Sequence, residues 1–164
     1  MKYLSLPVIL LIGLLSVSVN AKAQLKLFGG KNHDQFLGNM TNNEDDELNS
    51  IWSMFSNYGG THNPISIWNE TGIYGSKTGN YSPFSIKAKY PPQIRDEKGK
   101  FYGYLTINKN NPNRSKNTIA LEICERRDRI LKEGPQNYGK WLIPIHCGGG
   151  LAAATPIVDK PIRK

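Results

Sequence analysis

Residues 50–76 read SIWSMFSNYGGTHNPISIWNETGIYGS, and this stretch decides how the chain is organised. Ser50-Ile51-Trp52 recurs as Ser66-Ile67-Trp68, and Tyr58-Gly59 recurs as Tyr74-Gly75, every matched pair 16 residues apart. Five coincident positions at one offset, Trp and Tyr among them, mark a tandem repeat. A degenerate third unit is expected at a different spacing, Tyr81-Ser82-Pro83-Phe84-Ser85-Ile86, with Lys87 where Trp would stand. Ser-Ile-Trp suits a short, half-buried extended segment. Tyr-Gly supplies a bulky packing group and then a residue free to take φ > 0 and turn the chain. Each unit is too short to bury its own apolar face, so units must stack on each other or on the downstream half. A loop-rich layer over residues 49–90 is therefore expected, pinned by Trp52, Tyr58, Trp68 and Tyr74.

The same four aromatics are the candidate ligand-binding residues. Rings at regular intervals can stack on sugars or grip a polymer. The competing reading makes them the core, which a chain short of aliphatic residues needs.

Outward from the repeat, the first 23 of the 164 residues have the form of an export signal. Lys2 precedes a largely apolar run from Leu4 to Val19, and Ala21-Lys22-Ala23 matches a signal-peptidase site. Removing residues 1–23 leaves a chain long enough for one domain with a modest core. No later apolar run reaches the roughly 18 residues of a membrane span, so no transmembrane segment is expected after cleavage. No Cys follows the small residues, so lipoprotein anchoring is not indicated. The organisation expected is a signal at 1–23, one globular domain at 24–147 and a flexible tail at 148–164.

The formal net charge of +8 is uneven: residues 24–80 carry a net of −3 and residues 81–164 a net of +9. Such a dipole can favour docking on a polyanion, which makes an anionic envelope polymer or a glycan the candidate partner. Nucleic acid is not expected, since zinc-finger spacing and RNP-type aromatic motifs are missing. Asn39, Asn69, Asn80 and Asn113 open N-x-[ST] sequons, which matter only in a eukaryotic host.

Phe101 to Asn108 is the clearest strand, aromatic and β-branched between polar turns. Thr118 to Glu133 has helical spacing at Ala120, Ile123, Cys124, Arg127, Ile130 and Leu131, and Gly134-Pro135 ends it. Alternation of Ile119, Leu121 and Ile123 makes a strand the competing choice. Trp141 to Ile145 reads as a short apolar strand. The fold class is accordingly α+β: an aromatic repeat layer on a strand-helix-strand C-terminal half.

One family pattern is present. Phe36-Leu37-Gly38, the Ser-Ile-Trp and Tyr-Gly repeats, Tyr81-Ser82-Pro83, Pro91-Pro92 and the run Gly99 to Asn108 follow in order. This resembles a group of small, functionally uncharacterised secreted bacterial proteins with tandem S-I-W-N-x-Y-G-x-Y-G-S repeats. Residues 66–76 match best, departing at Thr71, and the first unit departs at Ser53. The resemblance spans Phe36 to Asn108. It implies a bacterial source and a periplasmic or secreted destination, and it adds no chemistry.

Cys124 and Cys147 are the only cysteines, in a compartment that permits a disulfide between them. That bridge would close a loop of about 23 residues, for which the chain-entropy model gives roughly 3 kcal/mol. Alternatively Cys124 is a buried residue of the helix face. A thiol nucleophile at Cys147 would need a base from His33 or His62, because neighbours such as His146 point to opposite faces of a strand. Metal binding lacks any H-x₃-H or C-x₂-C spacing. The acidic run Asn42 to Glu47 lacks the alternation and Gly of a calcium loop. Gly134 to Lys140 satisfies G-x₄-G-K, but Trp141 replaces the required Ser/Thr and Pro135 removes an N–H from the phosphate cradle. No cofactor or metal is expected. Function reads as a non-catalytic binding or structural protein, with a thiol-dependent hydrolase using Cys147 as the alternative.

Overall fold

A computed structural model describes residues 24–40 and 44–147. The expected leader and the tail at 148–164 lie outside the described residues. Four strands, β1 (Lys26–Gly29), β2 (Gln35–Asn39), β3 (Gln93–Arg95) and β4 (Phe101–Tyr104), form one antiparallel sheet in the order β2-β1-β3-β4. Three helices follow, α1 (Thr118–Glu125), α2 (Arg127–Glu133) and α3 (Pro135–Cys147). The protein is a small single α+β domain. Leu27, Leu37 and Ile94 point from the sheet into a core shared with Ile51, Ile67 and Leu105, all at 0% exposure. Each edge strand is met at its last residue: Asn39 bridges to Ser50 beyond β2, and Tyr104 bridges to Arg114 beyond β4.

Between β2 and β3 the chain is neither helix nor sheet. It is a ribbon of three-residue turns. The N–H groups of Ser50, Ser53 and Ser56 donate to the carbonyls of Glu47, Ser50 and Ser53, and the pattern resumes at Asn63, Ser66 and Asn69. The first side chain of many triplets accepts the N–H two residues on. Trp52 N–H donates to Ser50 Oγ (3.1 Å), Tyr58 N–H to Ser56 Oγ (3.1 Å), Trp68 N–H to Ser66 Oγ (3.1 Å) and Phe84 N–H to Ser82 Oγ (3.1 Å). Serine and asparagine are suited to this, because a short polar side chain can take a nearby backbone donor and hold a turn. Backbone polarity is thereby satisfied locally, and the ribbon can enter the core without a ladder partner.

The repeat length follows from one residue per unit that falls outside the triplets. Gly59 and Gly75 are that residue: the turns there widen by one, Gly60 N–H donating to Ser56 O (3.3 Å) and Ser76 N–H to Gly72 O (3.0 Å). Their φ is not positive, contrary to the turn role expected from sequence. The glycine is required by contact instead. A Cβ on Gly59 would lie 2.1 Å from Ser53 O, and one on Gly75 would lie 2.1 Å from Asn69 O.

The third unit keeps the 16-residue register, so the expected change of spacing is corrected. Ser82-Pro83-Phe84, not Ser85-Ile86-Lys87, takes the Ser-Ile-Trp place, with all three residues buried. The positions 52, 68 and 84 stack as a column of rings, with centroids 5.5 Å apart for Trp52–Trp68 and 6.2 Å for Trp68–Phe84. Each indole also fastens one layer to the last: Trp52 Nε1–H donates to Met40 O (2.7 Å), and Trp68 Nε1–H donates to Ile51 O. Ile107 N–H closes the far end on Pro83 O (2.8 Å).

That closure explains why the strand expected over 101–108 is short. It leaves the sheet after Tyr104, and Leu105 and Ile107 turn to Pro92 and Pro83. The helix expected over 118–133 exists but breaks at Arg126 (φ −116°, ψ 19°). The break lets Arg127 turn inward beneath the repeat. Asn117 caps α1, its Oδ1 accepting from Ile119 N–H (3.0 Å) and Ala120 N–H (3.2 Å). Gly134 (φ 88°) stops α2 and Pro135 starts α3. The strand expected at 141–145 is helix, because Tyr138 and Leu142, four residues apart, share the buried face of α3.

Candidate ligand-binding surface

The four aromatics singled out from sequence are brought together, but as core. Trp52 and Trp68 are 1% and 0% exposed, and Tyr74 is buried. Tyr58 is half-buried, edge-on to Phe36 at 4.9 Å. Neither the Trp52 nor the Trp68 indole is open to a ligand, so the platform made of Trp52, Tyr58, Trp68 and Tyr74 is corrected: these rings hold the layers together. The ring column is itself clamped by the helices. Tyr138 of α3 stacks on Trp52 at 6.5 Å, and the guanidinium of Arg127 lies 4.7 Å from the Phe84 centroid.

Arg127 is 5% exposed. Its Nη2 donates to Gly75 O (3.0 Å) and Glu70 Oε1 (3.1 Å), and its Nη1 to Asp128 Oδ1 (3.1 Å). A buried guanidinium with ring, carbonyl and carboxylate partners is a structural pin. Tyr138 O–H donates to Glu122 Oε2 (3.1 Å). Burial first, and then the Glu122 charge, push this phenol up to about 12.

Cys124 carries a free thiol. Burial pushes it up to about 12, which favours the thiol over the nucleophilic thiolate. Cys147 ends α3, and its side chain lies outside the described residues, as does that of His146. His33 Nε2 sits 3.1 Å from Pro91 O, with its ring 5.7 Å from Tyr104. His62 is exposed, its Nδ1 3.2 Å from Thr61 Oγ1. Among the described residues no group of three His, Cys, Asp or Glu side chains converges as a metal site.

Several arginines of the basic half, and Lys77 of the acidic half, are engaged internally. Arg126 pairs with Glu122 (2.8 Å), Arg129 with Glu133 (2.7 Å), Arg114 with Glu125 (3.8 Å) and Lys77 with Asp128 (3.4 Å). Each such surface pair contributes about 0–1 kcal/mol, so they orient the helices more than they stabilise them.

An open groove lies elsewhere. A groove of about 790 Å³ runs between the first repeat unit and the α2–α3 turn. Met54, Phe55, Asn57 and His62 line one wall, and Gln136 and Asn137 the other. Phe55 is 72% exposed and Met54 63%. Sequence reasoning missed this site, because Phe55 holds the same place in its triplet as Trp52 and the letters do not show that its triplet faces outward.

No family model, curated protein or solved structure matches this chain. Its functional reading therefore rests on the molecule's own geometry.

Proposed function

We propose that this protein is an exported, non-catalytic binding or structural protein of the cell envelope or extracellular space. What carries the reading is the use made of the aromatic and polar residues. The rings form a column inside the fold, and the Ser and Asn side chains hold backbone turns, which is the make-up of a rigid scaffold. The signal-like residues 1–23 support a periplasmic or secreted destination, and the exposed lysines at 87, 89, 98 and 109 leave room for an anionic envelope polymer as partner. The thiol-hydrolase alternative at Cys147 draws no support from a described residue, since His33 is engaged by a backbone carbonyl.

Expression of the full-length gene in a bacterial host, followed by fractionation and N-terminal mapping, tests export. The expected result is a chain outside the cytoplasm that begins at Gln24. A chain left in the cytosol with Met1 intact overturns it.

A further inference from the structure

We propose that the groove between residues 54–64 and 134–137 binds a neutral oligosaccharide, with Phe55 as its stacking platform. This deepens the binding-protein reading above and rests on it. The first observation is one of register. At the position of Phe55 the second and third units carry Thr71 and Lys87, and all three are exposed. At the position of Met54 they carry Glu70 and Ile86, also exposed. The architecture therefore asks for no ring at 55, and the first unit alone places an aromatic and a thioether there, in the groove closed by the α2–α3 turn.

The second observation is charge. The groove's lining holds no Lys, Arg, Asp or Glu, in a chain of formal net charge +8. An anionic ligand would find no ion partner in it. The third is hydrogen bonding. Asn57 Oδ1 is held by Asn63 Nδ2–H (3.1 Å), which turns the Asn57 amide N–H groups away from that contact. On the opposite wall Asn137 Nδ2–H donates to Glu133 O (2.9 Å), which keeps its Oδ1 as an acceptor. A donor and an exposed ring on one wall and an acceptor on the other suit a pyranose, whose hydroxyls both donate and accept and whose C–H face is apolar. A volume of about 790 Å³ lies within the roughly 300–1,000 Å³ range of ligand clefts.

A peptide is the weaker fit. Strand addition needs a row of open backbone donors, whereas the ribbon's N–H groups at 53, 55, 56, 58, 59 and 60 are all taken by the ribbon itself.

The test is titration of the full chain with chitohexaose, cellohexaose and maltohexaose, followed by calorimetry and by amide NMR shifts. An uncharged apolar decapeptide and heparin serve as the other arms. The expected result is saturable binding of at least one hexasaccharide, with shifts at Asn57, His62 and Gln136. Phe55→Ala should weaken it about tenfold or more, while Phe101→Ala, an exposed ring on β4, leaves it unchanged. Phe55→Ala should keep the parent's thermal midpoint, since the ring is outside the core, and Asn57→Asp gives a second variant that leaves the ring in place and should also weaken binding. No binding of any hexasaccharide at about 10 mM, binding indifferent to Phe55→Ala, or Phe55-dependent binding of the peptide alone each overturns the proposal. Salt-sensitive binding of heparin alone overturns it too and points to the lysine surface. Export is read separately, by fractionation, so either result can fail without the other.

Discussion

In the four-stranded sheet, Leu27, Leu37 and Ile94 enter the core while their backbone groups pair with neighbouring strands. In residues 50–85 the side chains that enter the core are mostly rings, and the amide protons are taken within the same turn by Ser, Asn and nearby carbonyls. The first region draws order from long-range pairing. The second draws it from a three-residue chemical rule plus stacking between layers. The lesson is that a chain with few aliphatic residues can still build a dry interior, provided each polar backbone group is settled before burial and each layer offers a large flat surface to the next.

The strongest challenge to that division is to remove a ring. Trp68→Ala should cost about 5 kcal/mol, combining a large core truncation with the loss of a donor to Ile51 O. Chemical denaturation would register this as near-complete loss of the cooperative transition. Trp68→Phe keeps a ring in the stack and loses the indole donor with part of the ring volume, so it should cost less, about 1–3 kcal/mol; equal losses for both variants would mean the stack contributes little.

Next in size is the residue outside the triplets. Gly75→Ala forces a Cβ to within 2.1 Å of Asn69 O, and the ribbon must shift at a cost of about 3 kcal/mol. Gly99→Ala is the contrast, since nothing lies within 4 Å of its Cβ and only its φ of +79° is strained. A thermal midpoint that falls as far for Gly99→Ala as for Gly75→Ala would refute the close-approach account. The helical half gives a smaller effect. Asn117→Ala removes the α1 cap and should cost about 1 kcal/mol, measurable as a shift in denaturation midpoint with an unchanged slope.

The effect confined to the narrowest range of conditions is one of pH. Tyr138 titrates near 10 in the unfolded chain and near 12 in the fold. Its stabilising contribution is therefore complete below pH 10 and is lost as pH rises toward 12. Tyr138→Phe should flatten the alkaline limb of a stability curve, while losing the bond to Glu122 at every pH. An unchanged alkaline limb would show that Tyr138 is not the group responsible.

The sequence made two repeat units plain, because Trp and Tyr are rare enough for one offset to stand out. It hid the third, since Ser85-Ile86 copies the letters of the motif while Phe84 keeps its geometry. The triplet rule went unseen because the usual periods of 2 and 3.6 do not describe a ribbon of turns. Thr118 to Glu133 showed its helical period, but the break at Arg126 depends on a carbonyl and a ring more than 40 residues away. Trp141 to Ile145 is too short a run to tell strand from helix by pattern alone. As for the site, rarity pointed to Trp52 and Trp68, which the fold needs inside. Phe55 became visible only once the inward and outward positions were known.

The two ends of the ring column are closed by groups that belong to no unit: Met40 O takes an indole below, and Ile107 N–H meets Pro83 O above. The helices tie these two ends to each other, Tyr138 lying on the first ring and Arg127 on the third, so the height of the column is matched to the reach of α2 and α3.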